Sequence, residues 1–94
     1  MSTAQSIKLT LEPENAEFLA NLCGPFNEHI KLLEKRLGIE IRNNGSHFQL
    51  LGDIDIIHMT SRMLENLYKE ATLDKRLSPD EIHLLIQQSG AEQF

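Results

Sequence analysis

A single cysteine, Cys23, stands in this chain of 94 residues, so an internal disulfide is excluded. The fold must be held by its core, and a lone thiol fits a reducing, cytosolic compartment. Positive charge is also scarce. Nine Lys and Arg face fourteen Asp and Glu, a formal net charge of −5. That balance excludes the global basic field by which many proteins attract nucleic acid. No apolar run approaches the roughly 18 residues of a bilayer-spanning helix, and no basic-then-apolar leader opens the sequence. The expectation is a soluble, cytoplasmic protein without a membrane partner.

Other absences limit the chemistry. The four histidines, His29, His47, His58 and His83, form no H-x-x-x-H pair and no Cys/His cluster, so no metal site is expected. Asp53 and Asp55 suit the first turn of a helix better than an acid–base pair, and Asp80 beside His83 has the same simple role. Cys23 falls at the end of a helical pattern, where the dipole does not activate a thiol, and is expected to be buried. The phosphate-cradling pattern G-x-x-x-x-G-K-[ST] occurs nowhere, so the chain alone is not expected to be an enzyme. There is no internal repeat and no low-complexity tract.

What is present is an ordinary globular composition, 40% hydrophobic and 24% charged, sufficient for one small domain. The charge is uneven. Residues 1–52 carry five Lys and Arg against six Asp and Glu; residues 53–94 carry four against eight. An anionic ligand is therefore expected on the first half.

Along the chain, "SIKLTLEP" sets Ile7, Leu9 and Leu11 against Lys8, Thr10 and Glu12, the period-2 alternation of a half-buried strand. Pro13 is expected to open a helix at its first position, with Ala16, Leu19, Ala20 and Cys23 as its apolar stripe. Gly24 stops that helix in a left-handed cap and Pro25 forbids continuation. Asn27 is expected to N-cap a second helix, with Glu28 in its first turn. Its stripe is Ile30, Leu33 and Leu37; Lys31, Lys35 and Arg36 lie away from it, and Gly38 ends it. "IEIRNNGSHFQLLG" reads as a hairpin in which Ile39 and Ile41 alternate with Glu40 and Arg42, and "NNGS" supplies the turn. Asp53 caps a long helix over about 54–72, with Ile57, Leu64, Leu67 and Ala71 on its apolar face and Ile56, Met63 and Tyr68 widening it. In "LSPDEIHLLIQQSG", Ser78, Pro79 and Glu81 form a capping box, and Leu77 with Ile82 a hydrophobic staple.

The resulting order, β-α-α-β-β-α plus a terminal helix, predicts an α+β fold. With its tight Gly-containing loop between the first two helices it resembles a KH domain of the eukaryotic-type topology. That resemblance implies a three-stranded antiparallel sheet, a loop that clamps a nucleic-acid backbone, and a groove beside the second helix and next strand for about four unstacked bases. Glycine lets a phosphate approach closely, and the start of a helix offers free N–H groups and a positive dipole end. Here the loop reads "GPFN": Gly24 matches the family's first loop glycine and Asn27 stands where the second would be.

A broader resemblance covers almost the whole chain. Leu11-Glu12, the "CGP" after the first helix, "LEKRLGIEI", the "NNG…GD" hairpin and "PDEIHL" are similar to the amino-terminal domain of bacterial PhoH-like proteins. In that family a KH-like module precedes a P-loop ATPase domain. The resemblance implies residues 1–73 as the KH-like domain and 74–94 as a linker and helix leading toward an ATPase domain that this chain lacks. ATP and Mg are implied for that missing domain, with no cofactor in this one. A homo-oligomeric full-length protein and a YbeY-type endoribonuclease as partner are implied too.

The expected function is binding of single-stranded RNA by an accessory domain. Its candidate contacts are Gly24, Pro25, Phe26, Asn27, Lys31, Lys35, Ile39, Ile41 and Arg42. Phe26 is placed to stack a base, while Glu28, Glu34 and Glu40 nearby repel phosphates. A protein-interaction module that helps the ATPase assemble is the alternative, with the acidic second half and the long helix as its surfaces.

Overall fold

The computed structural model describes residues 5–73 and 77–89, apart from the side chain of Ser89. Strand β1 (Gln5–Thr10) leads to helix α1 (Ala16–Cys23), a 3-10 turn (Pro25–Asn27) and helix α2 (Glu28–Leu37). Strands β2 (Glu40–Asn44) and β3 (His47–Gly52) form a hairpin, followed by helices α3 (Ile54–Thr72) and α4 (Pro79–Ser89). The class is α+β. The three strands make one antiparallel sheet in the order β1-β3-β2. Ile7 lies opposite Leu50, and Leu50 opposite Ile41, so three apolar residues line up across the sheet and face the core together.

Period-2 alternation leaves the sheet with two unlike faces. Phe48 and Leu50 of β3 and Ile41 of β2 are buried, with Ile7 and Leu9 of β1 packed against them. Helix α3 lies against β1 and β3, and α2 lies against β2. The other face carries Lys8, Thr10, Arg42, Asn44 and His47, all exposed. The α3 boundaries are as expected: the Asp53 carboxylate accepts from the N–H of Asp55 (3.0 Å) and of Ile56 (3.4 Å). Its expected apolar face is the buried one, and Thr60 joins it by donating its hydroxyl to the Ile56 carbonyl at 2.7 Å.

Helix α1 departs from expectation twice. It begins at Ala16 rather than at Pro13, because the side chain of Asn15 is the better cap and accepts from the N–H of Glu17 (2.8 Å) and Phe18 (3.1 Å). Pro13 sits in the preceding turn, where its carbonyl accepts from the Tyr68 hydroxyl of α3. The apolar stripe is rotated as well. Leu22 and Cys23 are buried and Phe18 and Leu19 half-buried, whereas Ala16 and Ala20 are exposed. Larger side chains take the core-facing positions, since each buries more apolar area than a methyl group.

Helix α4 extends the core beyond residue 73. Leu77, Ile82 and Ile86 belong to the same buried cluster as Leu33 and Leu64. It packs on α2, where Arg36 Nη1 donates to His83 Nδ1 at 2.6 Å. The Ser78 half of its capping box is in place, with Ser78 Oγ 3.3 Å from the N–H of Glu81. The expected linker falls largely on residues 74–76, outside the described residues.

Candidate nucleic-acid interface

Gly24 makes the tight junction between α1 and α2 possible. Its φ of 76° and ψ of 173° lie where only glycine is comfortable, and they differ from the left-handed cap expected of it. Its N–H still closes α1 by donating to the Ala20 carbonyl at 2.9 Å. A Cβ here would also lie 2.9 Å from the ring of His29. His29 is buried, and its Nδ1 bonds to the Leu22 carbonyl at 2.9 Å, so the imidazole ties α2 to the last turn of α1. The sequence pattern did not place His29 on the apolar stripe of α2. Its burial follows from lying beside Ile30 on the stripe of a helix that packs on α1.

After Gly24 the chain lifts away from the body. Pro25 is exposed, and Phe26 is 94% exposed. Phe26 (φ 54°) and Asn27 (φ 63°) are consecutive left-handed residues, an arrangement that costs energy in non-glycine residues. Asn27 stands at the N-cap position of α2 as expected, but its side chain makes no capping bond. The left-handed backbone points the chain into α2 without it. The N–H of Asn27 donates to the Gly24 carbonyl at 3.1 Å and that of Glu28 to Pro25, so two of the donors expected to face a phosphate are used within the loop.

The remaining candidates separate into three places. Lys31 and Lys35 are exposed, one helical turn apart on one side of α2. Ile39 and Ile41 are buried in the core, 8% and 7% exposed, so their side chains offer almost no surface to a base. Arg42, next along the strand, emerges on the sheet face opposite the helices, away from Lys31 and Lys35. Its Nε donates to Glu40 on the same face. Alternation alone forces this separation: if Ile41 faces α2, Arg42 cannot.

Glu34 has the structural role with the least local sign in the sequence. Its carboxylate reaches from α2 to the N–H of Ile41 at 2.9 Å. Among the described residues β2 pairs only with β3, so this N–H belongs to the open edge of the sheet. Cys23 is buried and unpaired, and burial raises its thiol pKa. Among the described residues no group of three His, Cys, Asp or Glu is placed to hold a metal ion. No helix there is long and apolar enough to cross a membrane. No protein-family model matches the chain.

Proposed function

We propose that this chain is a KH-like, single-stranded-RNA-binding accessory module of a PhoH-like P-loop ATPase. One observation carries the RNA contact: an aromatic side chain, Phe26, held 94% exposed on a loop of two successive left-handed residues. Backbone strain that leaves an apolar ring exposed is a feature of ligand-contacting loops. A base stacked on the ring would bury it, with a gain of about 1–3 kcal/mol. Further support comes from the element order and the β1-β3-β2 sheet, an arrangement compatible with the eukaryotic-type KH topology. Lys31 and Lys35 then follow the strand from the loop along α2. ATP, Mg, homo-oligomeric assembly and a YbeY-type endoribonuclease belong to the full-length protein. The chain by itself neither binds nor hydrolyses ATP.

A protein-interaction role in assembling the ATPase is favoured by a different observation. Ile39 and Ile41 are buried and the Ile41 N–H is taken by Glu34, which leaves little of a base-reading groove beside β2. Replacing Gly24-Pro25-Phe26-Asn27 by Gly-Asp-Asp-Gly separates the two roles. RNA affinity falls by roughly 1–2 kcal/mol if one or two charge-assisted contacts are lost, while the fold survives. Normal RNA binding by this variant, together with failure of α4 variants to assemble with the ATPase domain, would establish the interaction role instead.

A further inference from the structure

We propose that the helix-free face of the sheet is a second nucleic-acid contact, one that holds the phosphodiester backbone of single-stranded RNA. The choice of ligand rests on the RNA-binding role proposed above; the surface is separate from the loop. A depression of about 480 Å³ lies on this face. Strand register places its lining in two rows. Lys8, Gln49 and Arg42 are opposite one another across the three strands, and Thr10, His47 and Asn44 form the next row. Adjacent strands are about 4.8 Å apart and alternate residues about 6.8 Å along a strand. Lys8 and Arg42 thus stand roughly 10 Å apart with the Gln49 amide between them, a span that a bridging phosphate closes with both cations.

Charge selects an anion for this surface. In a chain with net charge −5, the described lining of the depression holds one Lys and one Arg and no carboxylate. Glu40, on the same face, is engaged with Arg42 Nε, and Glu12 and Glu14 border the far end, where they share a neighbouring depression with Thr10 and His47. The Glu40 contact orients the guanidinium and leaves the Nη hydrogens for a phosphate oxygen, the fork geometry that suits arginine to this ligand. The second row adds further hydrogen-bonding groups about 6.8 Å along the strands. Thr10 Oγ1 and His47 Nδ1 are bonded to each other at 3.1 Å, which fixes the imidazole over the sheet. Alternation makes the two contact surfaces independent, because Arg42 and Lys8 face away from the helices that carry Phe26, Lys31 and Lys35.

The test is fluorescence anisotropy of a labelled eight-nucleotide oligouridine titrated with the 94-residue chain at several salt concentrations. The Lys8→Gln/Arg42→Gln double variant should lose at least about tenfold in affinity at low salt. Its log–log salt slope should flatten by about 1.4, two single-strand phosphate contacts. Lys8→Gln alone, which leaves β2 and its hairpin untouched, should lose severalfold and guards against misfolding of the double variant. Phe26→Asp, measured alongside, reports on the loop separately. Wild-type affinity and slope in both sheet variants overturn the sheet-face proposal, and the loop proposal then stands or falls on Phe26→Asp. Loss in the sheet variants with normal binding by Phe26→Asp leaves the sheet face standing and removes the loop. Absence of oligouridine binding by the wild-type chain at low salt overturns both.

Discussion

The carboxylate of Glu34 accepts the backbone N–H of Ile41 at 2.9 Å, and through that bond α2 covers one donor on the open edge of β2. An exposed edge strand invites pairing with another chain, and a side chain that occupies its donors prevents it. The same bond places a negative charge beside the line of Lys31 and Lys35. Glu34→Ala should therefore lower stability by about 1.5–3 kcal/mol, the range of a hydrogen bond to a charged acceptor. Glu34→Gln keeps an acceptor and removes the charge, so it should lose less stability and bind RNA more tightly than wild type. Urea midpoints and RNA titrations of the two variants check both halves; equal RNA affinity in Glu34→Gln would separate Glu34 from any strand path along α2.

Gly24 and His29 act as a pair. Gly24→Ala should cost more than about 2 kcal/mol, from strain on the order of 1–3 kcal/mol plus a Cβ driven to 2.9 Å from the His29 ring. In a His29→Ala background the steric part disappears, and the cost of Gly24→Ala should shrink. A double-mutant cycle in urea measures this coupling. Additive costs would mean that the glycine is required for its dihedral angles alone.

Much of the fold was legible because its signals are local. The Asp53 cap, the Ile57–Ala71 stripe and the Gly38 stop are set by residues within a turn or two of one another, and the structure has them as expected. The phase of α1 was not, because Ala16, Leu19 and Ala20 fit helical spacing as well as Phe18, Leu19 and Leu22 do. Packing area decided between them. The candidate site was legible in its loop and in α2 but not as a surface. That Arg42 leaves the group follows from its alternation with Ile41, but that Lys8 lies in the same row depends on β1 pairing with β3, a long-range choice with no local signal. The Glu34–Ile41 bond is equally non-local.

Leu33 is fully buried between α2 and the rest of the core, while Lys31, two residues earlier, is exposed. Leu33→Ala should destabilise the fold by about 2–5 kcal/mol and Lys31→Ala by less than about 0.5 kcal/mol. Chemical denaturation of both gives the difference directly. Comparable midpoints would place the wrong face of α2 in the core.

Cys23 and Tyr68 make stability fall at high pH. Burial raises both pKa values, and for Tyr68 a backbone hydrogen bond at Asn15 opposes it in part while the Glu14 charge adds a smaller upward push. Each group is more easily ionised in the unfolded chain. Their contribution is thus fully present below the ordinary values of 9.0 and 10.0 and is lost as pH climbs through the raised ones. Melting temperature should hold between pH 7 and 8.5 and decline above about 9. Iodoacetamide should alkylate Cys23 slowly in the native chain and rapidly in urea. Fast native alkylation at pH 8 would contradict the burial of this thiol.

The central claim, that this fold contacts single-stranded RNA, is tested most directly by amide chemical-shift mapping of the 94-residue chain with increasing oligouridine at low salt. The account predicts saturable shifts at Gly24–Lys35 from the loop and α2, and at Lys8, Arg42 and Gln49 from the sheet face, with α4 unmoved. An unchanged spectrum at excess RNA, or shifts confined to α4, would contradict it.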